Sequence, residues 1–326
     1  CLGIFGSIRP RGIAVRNMQT ALTRRQALTG ATAGLLAAPW PRLAGAQAAA
    51  APALTDLGPD LALAAGAGAN VVALASAEGL LLVDGGSEGR AAALQGALAQ
   101  RWPGRPVKVA FNTNWRAEHT GANAALRGAG ATVMAHENTK LWLGGDFFVD
   151  WEDRHYAPHP AAMLPNKTFY TSGKVDFGGR NVEYWHLPRA HTDGDVAVFV
   201  PDADVLVASD LLSAGRYPKP DYATGGWIGG LIDATQKLLD STDAKTRIVA
   251  AEGGVYGRAE LNAQLELCKA VAQKTAEAFR VGMSFADFVA SKPTAAFDAK
   301  WGDPQLFLRL VYKGGFAHLR ELGGVI

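Results

Sequence analysis

The chain has 326 residues, of which 48% are apolar and 19% are charged, and its formal net charge is +2. These values are typical of a globular protein that buries a large core in one domain, or in two small ones. No run of Lys and Arg lies outside the N-terminal region, which argues against a nucleic-acid partner. Cys268 is the only cysteine beyond that region, so the sequence predicts neither an intrachain disulfide nor a cysteine-based zinc site.

The N-terminal region is predicted to direct export. Residues 18–48 contain the pair Arg24 and Arg25, a mildly apolar run and then "AQA". A positive region, an apolar region and a small-residue cleavage site in this order indicate a secretory signal, and the paired arginines resemble a twin-arginine signal. The apolar run is too short to span a bilayer. We therefore expect a periplasmic protein that has no membrane association after the signal is removed.

The segments around this signal are assigned from the same pattern. Met18 is the first methionine, so we expect residues 1–17 to be upstream sequence that is not native to the protein. A mature chain is expected to begin near Ala49, with a flexible lead-in over residues 49–64. Residues 65–326 are predicted to form one domain with a C-terminal helical extension.

Short apolar runs alternate with amphipathic helical patterns from about residue 65, which favours a layered α/β domain. Strands are predicted at 70–75, 80–86, 107–111, 132–136, 182–186, 196–200, 205–209 and 247–251, and helices at 89–101, 120–130, 229–241 and 259–279. The aromatic and proline-rich stretch 140–180 is predicted to be a long loop or lid over one edge of the site. The amphipathic segment 298–322 is expected to pack on its own domain.

Four polar clusters directly follow predicted strands, where α/β sheets place their ligand sites. In chain order they are "NTNWRAEHTG", "PRAHTDGD", "SDLL" and "AEGG". A single histidine after a strand is more often structural than functional. Four such clusters separated by strand and helix units indicate a site along one edge of the sheet.

Given these four strand-end clusters, the chain resembles the metallo-β-lactamase fold superfamily of metallohydrolases over nearly all of its mature length. The resemblance is carried by "LLLVDGG", "NTNWRAEHTGAN", "HENTKLWL", "AHTDGDVAVFVP", "VLVASDLLSAGRYP" and "RIVAAEGGV". It implies an αββα four-layer sandwich, in which two packed sheets are covered by helices, with the site where the strand-end loops converge.

The first loop departs from the family pattern His-x-His-x-Asp-His. Asn114 and Arg116 stand where the resemblance implies two metal-binding histidines, and Glu118 stands in place of the aspartate. A neutral amide binds zinc weakly and a guanidinium does not lose its proton, so one metal position is expected to be empty. Five potential metal ligands remain: Glu118, His119, His191, Asp210 and Glu252.

These five side chains leave two possibilities open. Three carboxylates that lie together repel one another, so one divalent ion (Zn²⁺, or Mn²⁺ or Fe²⁺) could balance them with the help of Arg116. Alternatively, Arg116 could lie between Glu118, Asp210 and Glu252 as a metal-free ion-pair network.

The sequence therefore supports two functional hypotheses for a small-molecule substrate or ligand. The first is an exported hydrolase with a mononuclear metal site that cleaves an ester, lactone, amide or β-lactam bond with metal-activated water. Glu118, Asp210, Arg116 and His191 would be its catalytic residues. The second is a metal-free periplasmic binding or accessory protein.

The loop "GRYPKPDYATGGW" at 215–227 is either a proline-bent surface loop or the contact for an anionic or carboxylate group. The sequence does not fix the oligomeric state.

Overall fold

The structure is a computed structural model that describes residues 51–321 and Gly323. The predicted export signal lies outside these residues. The described strands, in chain order, are β1 (Ala53–Gly58), β2 (Leu61–Ala65), β3 (Val71–Ser76), β4 (Gly79–Val83), β5 (Val107–Phe111), β6 (Thr132–His136), β7 (Phe147–Val149), β8 (Arg154–Tyr156), β9 (Lys167–Phe169), β10 (Gly173–Phe177), β11 (Arg180–His186), β12 (Val196–Val200), β13 (Val205–Ser209), β14 (Arg247–Ala250) and β15 (Val255–Tyr256).

Two sheets carry most of these strands. The first sheet has the order β1-β2-β3-β4-β5-β6-β9, antiparallel from β1 to β4 and parallel from β4 to β9. The second has the order β10-β11-β12-β13-β14-β15 and is antiparallel except for the parallel pair β13 and β14. A separate hairpin joins β7 to β8. The eight strands predicted from apolar runs correspond to β3 to β6 and β11 to β14.

The helices cover the outer faces of the sheets. They are α1 (Ala91–Arg101), α2 (Ala117–Thr120), α3 (Asn123–Gly128), α4 (Glu137–Gly144), α5 (Ile228–Asp240), α6 (Arg258–Arg280), α7 (Phe285–Ala290), α8 (Asp298–Trp301) and α9 (Gln305–Glu321). Helix α5 shows the expected apolar stripe, since Leu231, Ala234 and Leu238 recur at helical spacing and are buried. The predicted helices at 229–241 and 259–279 correspond to α5 and α6.

Three apolar clusters define the layers. One lies between the two sheets and joins Leu81 and Phe111 of the first sheet to Val198 and Val207 of the second. A second packs α1 and α3 on the outer face of the first sheet. The third packs α5, α6 and α9 on the outer face of the second sheet. Helix, sheet, sheet and helix layers confirm the predicted αββα sandwich.

Two segments differ from the sequence predictions. The expected flexible lead-in at 49–64 contains β1 and most of β2, and its fully buried Leu61 and Ala62 belong to the core. The expected long loop at 140–180 contains the end of α4 and the strands β7 to β10. Short strands with many aromatic and proline residues do not show the regular alternation on which strand prediction depends.

The C-terminal segment packs on its own domain, as predicted. Phe307, Leu308 and Val311 of α9 are buried in the cluster that α9 shares with α5 and α6. Cys268 of α6 lies in the same cluster as a free thiol, and its burial raises its pKa to about 12. Among the described residues, no helix combines the length and hydrophobicity needed to cross a bilayer.

Candidate functional site

The polar clusters predicted at strand ends follow β5 of the first sheet and β11, β13 and β14 of the second. His119 lies on the short helix α2 that follows β5, and His191 lies in the loop after β11. Asp210 directly follows β13, and Glu252 lies two residues after β14. Since β13 and β14 are parallel, the residues after them leave the second sheet at the same edge.

His119 is held by a carboxylate that the sequence analysis did not assign. The side chain of Asp84, just after β4, lies with one oxygen 2.9 Å from His119 Nδ1. The backbone N–H and hydroxyl of Thr113 also donate to Asp84, at 2.8 Å each. All three side chains are almost fully buried. This arrangement directs the other ring nitrogen, Nε2, toward Asp210.

Asp210 lies at the centre of the site and contacts three of its side chains. Its Oδ2 lies 2.9 Å from His119 Nε2 and 3.9 Å from His191 Nδ1, and it accepts a hydrogen bond of 2.9 Å from Asn114 Nδ2. The contact with His119 is short but is not aligned as a hydrogen bond. Among the described residues, His119 Nε2 and His191 Nδ1 are buried nitrogens without a hydrogen-bond partner. The site thus presents two imidazoles to one carboxylate.

The electrostatics of the three groups are coupled. Burial disfavours the charged form of His119, but Asp84 and Asp210 outweigh it and raise its pKa well above the ordinary value. Burial also opposes charge on His191, yet Asp210 and Asp195 raise its pKa. Burial would raise the pKa of Asp210, but the two imidazoles lower it far below the ordinary range. These contacts favour the ionised form of Asp210 and the protonated forms of the two histidines.

Arg116 does not lie where it was expected, between Glu118, Asp210 and Glu252. One guanidinium nitrogen is 2.5 Å from Glu152 and the other is 2.7 Å from Asp221, which is fully buried. Asp221 and Glu152 outweigh the effect of burial and raise the pKa of Arg116.

Aromatic rings enclose the Arg116 side chain. Its guanidinium carbon lies 4.4 Å from the ring centre of Trp115 and 5.1 Å from that of Trp151. Tyr156 packs edge-on against Trp115 with ring centres 4.8 Å apart. Arg116 therefore joins the β7–β8 hairpin to the loop that contains Asp221.

The two glutamates predicted as metal ligands do not join His119 and Asp210. The side chain of Glu118 is exposed on α2. Glu252 is also exposed, and its carboxylate is paired with the guanidinium of Arg216. The exposure of Glu118 follows from the geometry of α2. Successive residues of a helix point about 100° apart, so the burial of His119 directs its neighbour toward solvent.

The residues present do not fit the single metal ion that the sequence suggested. No group of three or more His, Cys, Asp or Glu side chains within residues 51–321 could hold an ion. His119 Nε2 and Asp210 Oδ2 could supply two donors, but a protein metal site needs at least three. His191 directs its Nδ1 at Asp210 from 3.9 Å. Asn114 donates a hydrogen bond to Asp210 Oδ2, the oxygen that would face an ion.

A narrow cleft opens beside these groups. His191 and Asp210 form its floor, and Ser213, Arg216, Lys219 and Glu252 lie around its mouth. Its volume is about 30 Å³, which is room for one or two water molecules. The loop at 215–227 contributes Arg216, Tyr217 and Lys219 to the cleft. Its Tyr222 instead donates a hydrogen bond to Asp150 at 2.5 Å.

The sequence analysis missed Asp84, Asp221 and Glu152. Asp84 lies within "LLLVDGG", inside the strand predicted at 80–86, whereas β4 ends at Val83 and leaves Asp84 at a strand end. Its positive φ of 69°, unusual for a residue with a side chain, also marks the strand end as a special position. The partners of Arg116 had no such signal, since they are 36 and 105 residues away in the chain.

Comparisons with known proteins agree with this fold. A family model described as the metallo-beta-lactamase superfamily matches residues 65–253, more than half of the chain. A metallo-beta-lactamase from Pontibacter korlensis superposes with a TM-score of 0.53 at 19% identity, covering 67% of this chain and 99% of its own. The DIM-1 metallo-beta-lactamase gives 0.54 at 14% identity, with 67% and 97% covered.

A third solved structure covers more of this chain. A double mutant of the sec-alkyl sulfatase PisA1 superposes with a TM-score of 0.62 at 15% identity, over 83% of this chain and 50% of that one. At these identities the likeness shows the fold alone. No curated protein matches this chain in sequence.

Proposed function

We propose that this chain, which belongs to the metallo-beta-lactamase superfamily, binds a small carboxylate without a metal ion. The side chains at the positions of the family's metal ligands contact other protein groups or face solvent. The observation that carries this proposal is the cleft above His191 and Asp210, whose mouth carries two cationic side chains, Arg216 and Lys219. An Arg fork matches a carboxylate in two parallel hydrogen bonds, and a Lys adds a compact charge.

The charges around the cleft support an anionic ligand. Asp210 already faces His119 and His191, so it is compensated from within the protein. Lys219 is exposed and makes no ion pair with any residue that the structure describes. An anion in the cleft would therefore meet one uncompensated cation, and a second if it replaced Glu252 on Arg216.

Metal analysis and binding measurements test this function together. Protein purified without added metal should contain well under one ion per chain, and a chelator should leave its melting temperature unchanged. In calorimetric titrations, benzoate should bind and benzamide, which has the same shape without the charge, should not. Arg216→Gln and Lys219→Gln should each weaken benzoate binding. One bound ion per chain, or equal binding of benzoate and benzamide, would contradict the proposal.

A second candidate is hydrolysis, the activity general in this superfamily. The observation that favours it is the pair of partnerless imidazole nitrogens, His119 Nε2 and His191 Nδ1, on either side of Asp210. Buried titratable groups with strongly shifted pKa values beside a cleft are typical of catalytic sites. Turnover of a chromogenic ester or β-lactam that persists in chelator and disappears in Asp210→Asn would favour this candidate over binding alone.

The proposed location is the periplasm, and it is supported by the sequence of residues 18–48 alone. Expression from Met18 should yield a shortened periplasmic protein that begins near Ala49. Changing Arg24 and Arg25 to lysine should retain the chain in the cytoplasm, because the twin-arginine route depends on that pair. Cytoplasmic retention of the unchanged chain would contradict this proposal.

A further inference from the structure

The mouth of the cleft contains an ion pair between Arg216 and Glu252. Arg216 lies in the loop after β13, and Glu252 lies in the turn after β14. Their side chains are 44% and 58% exposed, so the pair is in contact with water. An exposed ion pair contributes little to stability and separates readily.

The backbone beneath Glu252 is fixed. The side-chain amide of Asn70 donates to the carbonyl oxygens of Ala250 and Gly253, at 3.0 Å and 3.1 Å. The Asn70 backbone N–H also donates to the carbonyl of Ala251, at 2.7 Å. The turn is thus held on both sides of Glu252, whereas the described contacts of its side chain are limited to Arg216. The carboxylate can move while the turn stays in place.

The ion pair restricts access of a ligand to the Arg216 guanidinium. With Glu252 on Arg216, the enclosed part of the cleft has a volume of about 30 Å³, which holds one or two water molecules. Glu252 holds Nη1 of Arg216. A ligand carboxylate that pairs with both terminal nitrogens of the Arg216 fork must therefore displace Glu252 from Nη1, so the two carboxylates compete for that nitrogen.

We propose that Glu252 is an internal competitor at the carboxylate site, a gate that occupies Arg216 until a ligand carboxylate replaces it. This inference deepens the proposed function and rests on it. The displaced Glu252 remains in water, so opening the gate leaves no buried charge unpaired. Lys219, on the same rim, would then contact the incoming ligand.

The test compares benzoate binding to the full chain and to three variants, with melting curves to show that each variant is folded. Glu252→Gln removes the competing charge and should lower the Kd for benzoate about two- to fivefold, as expected for loss of an exposed ion pair. Asp56→Asn is the matched control. It removes the acid of another exposed pair, with Arg101, and changes the net charge equally. It should leave the Kd unchanged, whereas Arg216→Gln should weaken binding.

The possible outcomes separate the gate from the function beneath it. If wild type and Glu252→Gln bind benzoate with the same Kd, the gate is refuted and the carboxylate site stands. If Asp56→Asn tightens binding as much as Glu252→Gln, the effect is one of net charge and the gate is again refuted. If neither wild type nor Glu252→Gln binds benzoate, the proposed function fails and the gate fails with it.

Discussion

Replacing Arg116 by alanine removes the centre of the ion-pair network that joins the β7–β8 hairpin to the neighbouring loop. Arg116 is 7% exposed, and its guanidinium contacts Asp221 and Glu152 at 2.7 Å and 2.5 Å. Without it, the fully buried Asp221 keeps hydrogen bonds from Trp151 Nε1 and the Thr224 hydroxyl, at 2.7 Å and 2.6 Å, but no cation. The variant therefore leaves a buried charge only partly compensated.

The magnitude follows from these contacts. Removing one partner of a buried ion pair costs about 3–5 kcal/mol in typical proteins. Since Asp221 keeps hydrogen bonds and Glu152 can reach water, we expect a loss at the lower end, roughly 3 kcal/mol. In a domain of this size, that loss lowers the melting temperature by roughly 6–12 °C. The effect includes lost contact with the Trp115 and Trp151 rings.

Chemical denaturation of wild type, Arg116→Ala and the control Arg101→Ala measures the effect. Arg101 pairs with Asp56 in water, so its loss should change the free energy of unfolding by less than about 1 kcal/mol. A cycle with Asp221→Asn isolates the pair itself, because the double variant no longer leaves the charge unpaired. If Arg116→Ala is as stable as Arg101→Ala, Arg116 is not a structural tie and the network is misassigned.

Two further predictions follow from other parts of the site. Burial and the stacked His186 lower the pKa of His136 to about 4. The unfolded chain therefore takes up this proton first, so the free energy of unfolding falls by roughly 3 kcal/mol as the pH drops from above 6.5 to about 4. In His136→Asn, which can still accept from the α4 backbone, this loss should be absent. Asn114→His adds an imidazole beside Asp210, so dialysed protein should gain about one zinc ion per chain, whereas the exposed control Asn181→His should gain none.

The parts of the fold that depend on local pattern were predictable from the sequence. Apolar runs such as 205–209 and 247–251 have the length and composition of buried strands, and they are strands β13 and β14. The rule that ligand sites lie beyond strand ends placed Asp210 and His191 near each other, and their side chains are 3.9 Å apart.

The predictions that were wrong concern the direction and the partners of single side chains. Glu118 and His119 are neighbours in sequence, so both were expected to face the site, but the helix at this point lets only one of them do so. Arg116 was expected to lie near Glu118, Asp210 and Glu252. Two acids from distant segments, Glu152 and Asp221, pair with it instead. Burial among aromatic rings strengthens the electrostatic attraction between these charges.

The two altered positions of the first loop now have separate roles. Asn114 donates to Asp210 and so supplies part of the compensation that a cation would give, while Arg116 uses its charge elsewhere. A buried carboxylate needs partners wherever they come from, and Asp210 has an amide and two imidazoles. Restoring a histidine at position 114 alone therefore tests the site without disturbing the Arg116 network. A histidine at position 116 would also remove the ion pair between Arg116 and Asp221. A variant with histidine at both 114 and 116 could therefore fail to bind zinc because its first loop is displaced.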